Sequence, residues 1–268
     1  MPSLKKGVNA MIRAVLFDVG GTLHQVHASP ELAIQFSRLL LDRLAAAGIQ
    51  LPIDAQALAA LLRKNAEDYK HWSEQAQVEL PAPRIWNEFY LRDFQIGEER
   101  LAPLAEELSV LYDAVRVRNE PRPHMREALR ELHDMGLVLG VISNIISTTF
   151  VPQLLEDYGI SDLMSCVILS STAGARKPSA AIFEKAAQAC GVPCGEMAYV
   201  GDTLSRDVLG CRNAGVALSI QIRNPSIAHR DTAFVGTVTP DAQIDDLSEI
   251  PAIIRAFNTR ISKPNLFP

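Results

Sequence analysis

Short unbroken apolar runs that stop at glycine or aspartate alternate along this chain with stretches of helical period, and the alternation predicts the architecture. The first run is Ala14-Val15-Leu16-Phe17, halted at Asp18-Val19-Gly20-Gly21-Thr22. Apolar residues at consecutive rather than alternate positions mark a strand covered on both faces. From Pro30 the period turns helical through Leu32, Ile34, Phe36, Leu39, Leu40 and Leu44, ending near Gly48. Further helices are predicted over 54–69, 84–94 and 98–117, with Pro52, Pro81 and Pro83 as breaks. No buried strand is predicted between Leu23 and Arg122. Strands return at 137–142, 166–169, 197–200 and 216–222, separated by helices at 150–158, 180–190 and 207–214, and 239–257 reads as a loop and a closing helix. Strands spaced by helices of this length imply right-handed crossovers and a parallel sheet. The fold class is thus α/β, interrupted after its first strand by an all-helical insert. The boundaries expected are 1–24 with 123–268 for the core and 25–122 for the insert.

Composition narrows the partners. The chain has 268 residues, 48% hydrophobic and 21% charged, which fits a globular protein and excludes a disordered or fibrous one. Its 26 Lys and Arg against 31 Asp and Glu give a net charge of -5. That sign repels phosphate backbones and anionic lipid, so no nucleic acid and no membrane partner is expected, and any phosphate must be held by a local site. No segment approaches the roughly 20 apolar residues of a membrane span, and Met1 to Ala10 lacks the apolar stretch of an export signal. A cytoplasmic protein with reduced thiols is expected. Cys190 and Cys194, around Gly191-Val192-Pro193, read as a helix end and a turn rather than a metal pair, because no second pair accompanies them. Oligomeric state is not legible.

Four polar groups stand at the ends of predicted parallel strands: Asp18, Ser143-Asn144, Lys177-Pro178 in the loop-to-helix segment after Leu169, and Gly201-Asp202 with Asp207. Strand ends of a doubly wound sheet share one edge, so groups distant in sequence can converge there. Carboxylates beside one lysine suit a hard divalent cation such as Mg²⁺. Alone, each has a plainer reading: a turn for Asp18, a helix cap for Ser143, a surface residue for Lys177.

Phe17-Asp18-Val19-Gly20-Gly21-Thr22, Ile142-Ser143-Asn144, Arg176-Lys177-Pro178 and Val200 through Asp207 together resemble the four signatures of the haloacid dehalogenase-like hydrolase superfamily. The insert resembles its class I helical cap, and Thr239 to Ile244 resembles the segment that closes many members. The resemblance spans the chain and implies a Rossmann-like core, a cap that selects the substrate, and a Mg²⁺-dependent phosphatase acting on a small phosphorylated molecule. It implies Asp18 as nucleophile and Lys177 as its neutralising partner. Ser143, Asn144 and Thr22 would bind the substrate, and Asp18, Gly20 (by its carbonyl), Asp202 and Asp207 would hold the metal.

One position departs from the pattern. Phosphatases of this superfamily usually carry a second Asp two residues after the nucleophile, as general acid and base. Here it is Gly20. Acid–base help is worth about 10²–10⁴-fold, so poor leaving groups should suffer most, and phosphoanhydrides, acyl phosphates and aryl phosphates least. Four readings compete. A slow phosphatase could recruit His24 or His27. A dehalogenase needs no proton for a departing halide, although the metal signature at Asp202 and Asp207 argues against it. A phosphonate-cleaving enzyme would call on a cap lysine, with Lys64 and Lys70 available. A binding protein would keep the site and lose turnover.

Overall fold

The structure is a computed structural model that describes residues 10–262. The first nine residues, where an export signal was sought, lie outside the described residues. Eight strands occur in chain order: β1 (Ala14–Phe17), β2 (His24–Ala28), β3 (Val117–Pro121), β4 (Val138–Ser143), β5 (Cys166–Leu169), β6 (Met197–Gly201), β7 (Leu218–Ile222) and β8 (Ala242–Ile244). Six form a parallel sheet in the order β5-β4-β1-β6-β7-β8. The chain builds outward from β1 on one side, then crosses to build outward on the other. That reversal opens a crevice beyond the carboxyl end of β1, where open α/β sheets bind ligands.

The four-residue β1 explains its own sequence. Val15 and Phe17 enter one apolar cluster and Ala14 and Leu16 another, on opposite faces of the sheet. Both faces are covered, so no position is free to be polar.

The insert buries a core of its own. Helix Pro30–Ala46 is capped by the Ser29 hydroxyl and helix Ala55–Ala76 by Asp54, each accepting a backbone N–H of the first turn. Phe36, Leu40 and Leu44 from the first helix meet Leu58, Leu62 and Tyr69 from the second. Trp86, Tyr90 and Leu108 complete the cluster, and the Trp86 indole donates to Ser109 Oγ at 3.0 Å.

Several expectations change in detail. The helix over 84–94 is three pieces: Ala82–Ile85, a π turn Trp86–Tyr90 and a 3₁₀ turn Arg92–Phe94. That over 98–117 divides into Glu98–Leu101 and Ala105–Val115, with Pro103 between them. The helical segment after β6 starts at Leu204, earlier than expected, again with a π turn. Two strands, mostly exposed, were missed in the insert expected to be all-helical. β2 and β3 pair antiparallel as a ribbon where the insert leaves and rejoins the core. Only His24 and Val117 are buried among their ten residues, so the ribbon lacks the apolar run by which buried strands are read. β8 was taken as loop; it is a three-residue edge strand, too short to carry a period. The four cysteines are free thiols, and helix Ala180–Cys190 does end in a turn at Gly191. Among the described residues no helix is long and apolar enough to cross a membrane.

Candidate active site

Lys177 sits at the centre of the strand edge with 1% of its surface exposed. Its Nζ lies 2.8 Å from Asp18 Oδ1, 2.7 Å from Asp207 Oδ1 and 2.8 Å from the Tyr199 hydroxyl. An ammonium has three hydrogens, and each has one partner here. The backbone around it is clamped by Asn144, whose Oδ1 accepts from Lys177 N at 2.9 Å while its Nδ2 donates to Lys177 O at 3.0 Å. The Asn144 side chain, expected to face substrate, is therefore spent on positioning the lysine.

Asp207 has both oxygens engaged. Oδ1 takes Lys177 and Oδ2 accepts from Thr203 N at 3.0 Å and Thr203 Oγ1 at 2.5 Å. Asp202 differs: Oδ2 accepts from Asn224 Nδ2 at 2.8 Å, whereas Oδ1 is buried with no hydrogen-bond partner among the described residues. Ligand oxygens of Asp18, Asp202 and Asp207 lie within 4.8 Å of one another. Two glycines make this crowding feasible. A Cβ on Gly21, at φ +89°, would stand 1.8 Å from Asp202 Oδ2, and one on Gly201 would stand 2.3 Å from the Asp207 carboxyl carbon.

Burial and charge divide the carboxylates. Burial pushes the Asp18 carboxyl above its ordinary value despite Lys177 beside it. Burial, then the neighbouring charges of Asp18 and Asp207, pushes Asp202 up to about 7. Burial works against the charge of Asp207 too, but Lys177 and Arg206 overcome it and hold that carboxyl below its ordinary value. Lys177 stays charged because the two aspartates outweigh the cost of burying it. An unpartnered buried oxygen among crowded carboxylates fits a hard divalent cation, which takes oxygen ligands and relieves the mutual repulsion. Of the expected ligands, Asp18, Asp202 and Asp207 are brought together here, and they are the carboxylates that would hold such an ion.

The cavity above these groups has a volume of about 480 Å³ and is lined by Asp18, Gly20, Ser143, Asn144, Lys177 and Asp202 among others. Thr22 is fully buried with its Oγ1 unpartnered among the described residues, and is not part of that lining. His24 lines the cavity and His27 does not; His27 is exposed on the ribbon, 3.4 Å from Glu120. His24 Nδ1 lies 3.2 Å from the Tyr158 hydroxyl, and Nε2 would stand 3.7 Å from a Cβ built on Gly20, so the imidazole faces the place of the missing side chain. Burial, aided by Arg122, lowers His24 to about 4. Neither Lys64 nor Lys70 reaches this cavity, and the cap aromatics Trp72, Trp86, Phe89 and Phe94 stay out of it as well.

Sequence reasoning missed Asn224, Arg206, Arg230, Arg116 and Tyr199. Asn224 follows β7 and obeys the same strand-end rule as the others. Arg206 lay inside the fourth signature. Arg230 and Arg116 come from a 3₁₀ segment and the end of a cap helix, where no pattern marks them. The insert is also tied to the core beside the site. Glu79 binds Arg176 and Tyr69 and accepts from Ser170 Oγ at 2.5 Å, and Glu106 accepts from Ser147 Oγ at 2.7 Å and from the backbone of Thr148 and Thr149.

Known proteins resemble this chain over most of its length. A glyceraldehyde 3-phosphate phosphatase of Methanopyrus kandleri is 29% identical over 247 residues, covering 91% of this chain and 98% of that protein. A phosphoglycolate phosphatase of Vibrio cholerae is 26% identical over 204 residues, 76% of this chain and 81% of that one. The crystal structure of a 2-haloacid dehalogenase from Pseudomonas syringae pv. Tomato superposes with a TM-score of 0.64 at 22% identity, covering 92% of this chain and 99% of that one, and so shares the fold. The profile of the haloacid dehalogenase-like hydrolases matches residues 12–215. With the signatures meeting at one strand edge and most of the chain matched, this protein belongs to the haloacid dehalogenase-like hydrolase family.

Proposed function

We propose that the chain is a Mg²⁺-dependent phosphatase of small phosphorylated metabolites, with Asp18 as nucleophile and residues 25–122 as the cap over its site. One observation carries the reading: Lys177 is fixed between Asp18 and Asp207 while Asp202, in the same carboxylate cluster, keeps one buried oxygen unpartnered among the described residues. The activities named for the two relatives above supply the substrate class. In this reading an Asp18 carboxylate oxygen attacks phosphorus, the bond to the leaving oxygen breaks, and water then hydrolyses the aspartyl-phosphate. Bound Mg²⁺ would supply positive charge between the attacking carboxylate and its anionic target.

Ser143, which lines the cavity, would bind the phosphate oxygens, and Lys177 would neutralise the transferring group at fixed range. Asn144 contributes through its hold on Lys177. Gly20 moves no proton. His24, neutral above about pH 4, can accept the proton of the attacking water but is a poor donor to a departing alkoxide. Turnover is therefore best for leaving groups stable as anions. The test is release of phosphate from p-nitrophenyl phosphate with and without Mg²⁺, in the native chain and in Asp18→Asn. Steady release that needs both the metal and Asp18 supports the reading. Chloride release from 2-chloropropionate in EDTA would replace it with the dehalogenase reading.

A further inference from the structure

A second and larger cavity, about 730 Å³, lies between the cap helices and the core. That falls within the usual size of ligand sites. It opens into the catalytic cavity, since Ala28, Asp113, Arg116, Asn144, Ile145 and Arg230 line both. Its charge is opposite to that of the molecule. Arg63, Lys70, Arg116, Arg176 and Arg230 face it against only Glu67 and Asp113, in a chain of net charge -5. Lys70 is paired with Glu67 and Arg176 with Glu79, which leaves Arg63, Arg116 and Arg230 without an ion pair among the described residues.

The cavity also gathers unsatisfied groups. Six buried side-chain polar atoms lack a hydrogen-bond partner among the described residues, and three of them, Asp113 Oδ2, Arg116 Nε and Arg176 Nε, belong to residues lining this one space. Native proteins rarely leave buried polar atoms unmade, and such atoms cluster where a ligand completes them. Tyr112 stacks under Arg116, with the guanidinium carbon 4.2 Å from the ring centroid, so the cation has a fixed seat.

We propose that this cavity is a subsite for the leaving group and that it selects phosphate esters carrying a second anionic group, a carboxylate or a phosphate, which Arg116 and Arg230 bind while Asp113 meets a hydroxyl. The inference rests on the phosphatase reading of the strand edge and names the substrate class of that same site. The two arginines line the passage as well as the cavity, so the second anion is met on the way in from Asp18.

The test compares glucose 6-phosphate, whose leaving group is neutral, with 6-phosphogluconate and fructose 1,6-bisphosphate. The expected result is a kcat/KM at least ten-fold higher for one of the anionic pair, and which of them wins tells carboxylate from phosphate. Arg116→Met should collapse that ratio towards one, chiefly through KM, and Arg116→Lys should restore part of it. Arg230→Met carries the same comparison if Arg116→Met fails to fold. Equal kcat/KM for all three substrates overturns the subsite, as does an Arg116→Met that lowers all three alike. Binding separates the two claims: in Asp18→Asn protein, calorimetry should show tighter binding of the anionic pair than of glucose 6-phosphate, an advantage lost when Arg116→Met is added. Failure to hydrolyse p-nitrophenyl phosphate refutes the phosphatase reading and leaves that binding comparison to decide the subsite.

Discussion

At the strand edge the charges of Asp18, Lys177 and Asp207 are matched to one another within 3 Å, whereas in the cap cavity a few residues away guanidinium and carboxylate atoms stand buried without a hydrogen-bond partner among the described residues. Lys177 gives all three hydrogens to fixed oxygens, Asp207 uses both of its own, and only one oxygen of Asp202 is left over. Arg116 and Asp113 are one helical turn apart on the same helix end, yet Arg116 Nε and Asp113 Oδ2 find no hydrogen-bond partner among the described residues. The difference follows from what each region must hold. A phosphoryl group is the same in every substrate, so its site can be organised in advance by fixed side chains together with the proposed metal. A leaving group varies between substrates, and in the proposed reading its site would be completed by the ligand.

The sharpest way to break this comparison is to remove the nucleophile. Asp18→Asn should lower hydrolysis of p-nitrophenyl phosphate on the order of 10⁴-fold, and EDTA should do the same to the native chain. Retention of more than about a tenth of the activity in either case would show that the matched charges serve stability rather than chemistry.

Next in size come the buried ion pairs. Lys177→Met leaves Asp18 and Asp207 buried without their ammonium, and Glu79→Gln leaves Arg176 without its carboxylate; breaking a buried pair costs about 3–5 kcal/mol. Urea unfolding should register a loss of that order in both, and phosphatase assays should separate them. Lys177→Met should be inactive, while folded Glu79→Gln should keep Asp18, Lys177 and Asp202 in place and lose activity less than ten-fold. Equal loss in both would mean that the cap tie at Glu79 governs the catalytic lysine.

How far the sequence discloses each region follows the same division. Asp18, Ser143 and Asp202 were legible because each ends a strand buried on both faces, and such strands announce themselves by consecutive apolar residues, whereas Lys177 lies past a short helix after β5 and was legible from its place in Arg176-Lys177-Pro178. Asn224 ends β7 by the same rule and could have been found with them. The role of Asn144 was not legible, since an amide that binds a backbone and one that binds a phosphate look alike in one dimension. The ribbon of β2 and β3 escaped because it is exposed and has no apolar run. Arg116 and Arg230 escaped for a different reason: their importance lies in an unmatched charge, and whether a charge is matched depends on contacts far apart in sequence.

Gly20→Asp tests a smaller effect at the boundary between the two regions. A Cβ there would meet only His24 Nε2 at 3.7 Å and Val26 Cγ2 at 3.8 Å, ordinary contacts, so the backbone accepts a side chain. Restoring the acid should raise kcat on alkyl phosphates by about 10²-fold, the lower end of the range for general acid–base catalysis, and change aryl phosphates little. No gain would mean that proton transfer is already met by His24, and His24→Asn should then cost as much as the glycine was expected to.

The smallest effect concerns two carboxyls that burial raises to the same value, about 7: Asp202 at the strand edge and Asp113 in the cap. Each keeps its proton in the folded chain over a range of pH where the unfolded chain, with its carboxyl near 3.8, has lost it. The folded state then binds more protons, so stability is fully present below that unfolded value and declines as pH rises through about 7. Urea unfolding in EDTA should therefore show a native chain less stable at pH 8 than at pH 5. Asp113→Asn should remove one part of that decline. Mg²⁺ should remove the other, because an ion held by Asp202 favours its charged form and leaves Asp113 untouched. The two changes should add, as independent sites do. If Asp113→Asn leaves the decline intact, its carboxyl is ionised and solvated, and the cap cavity is as well matched as the strand edge. If Mg²⁺ leaves it intact, the unpartnered oxygen of Asp202 does not meet the metal.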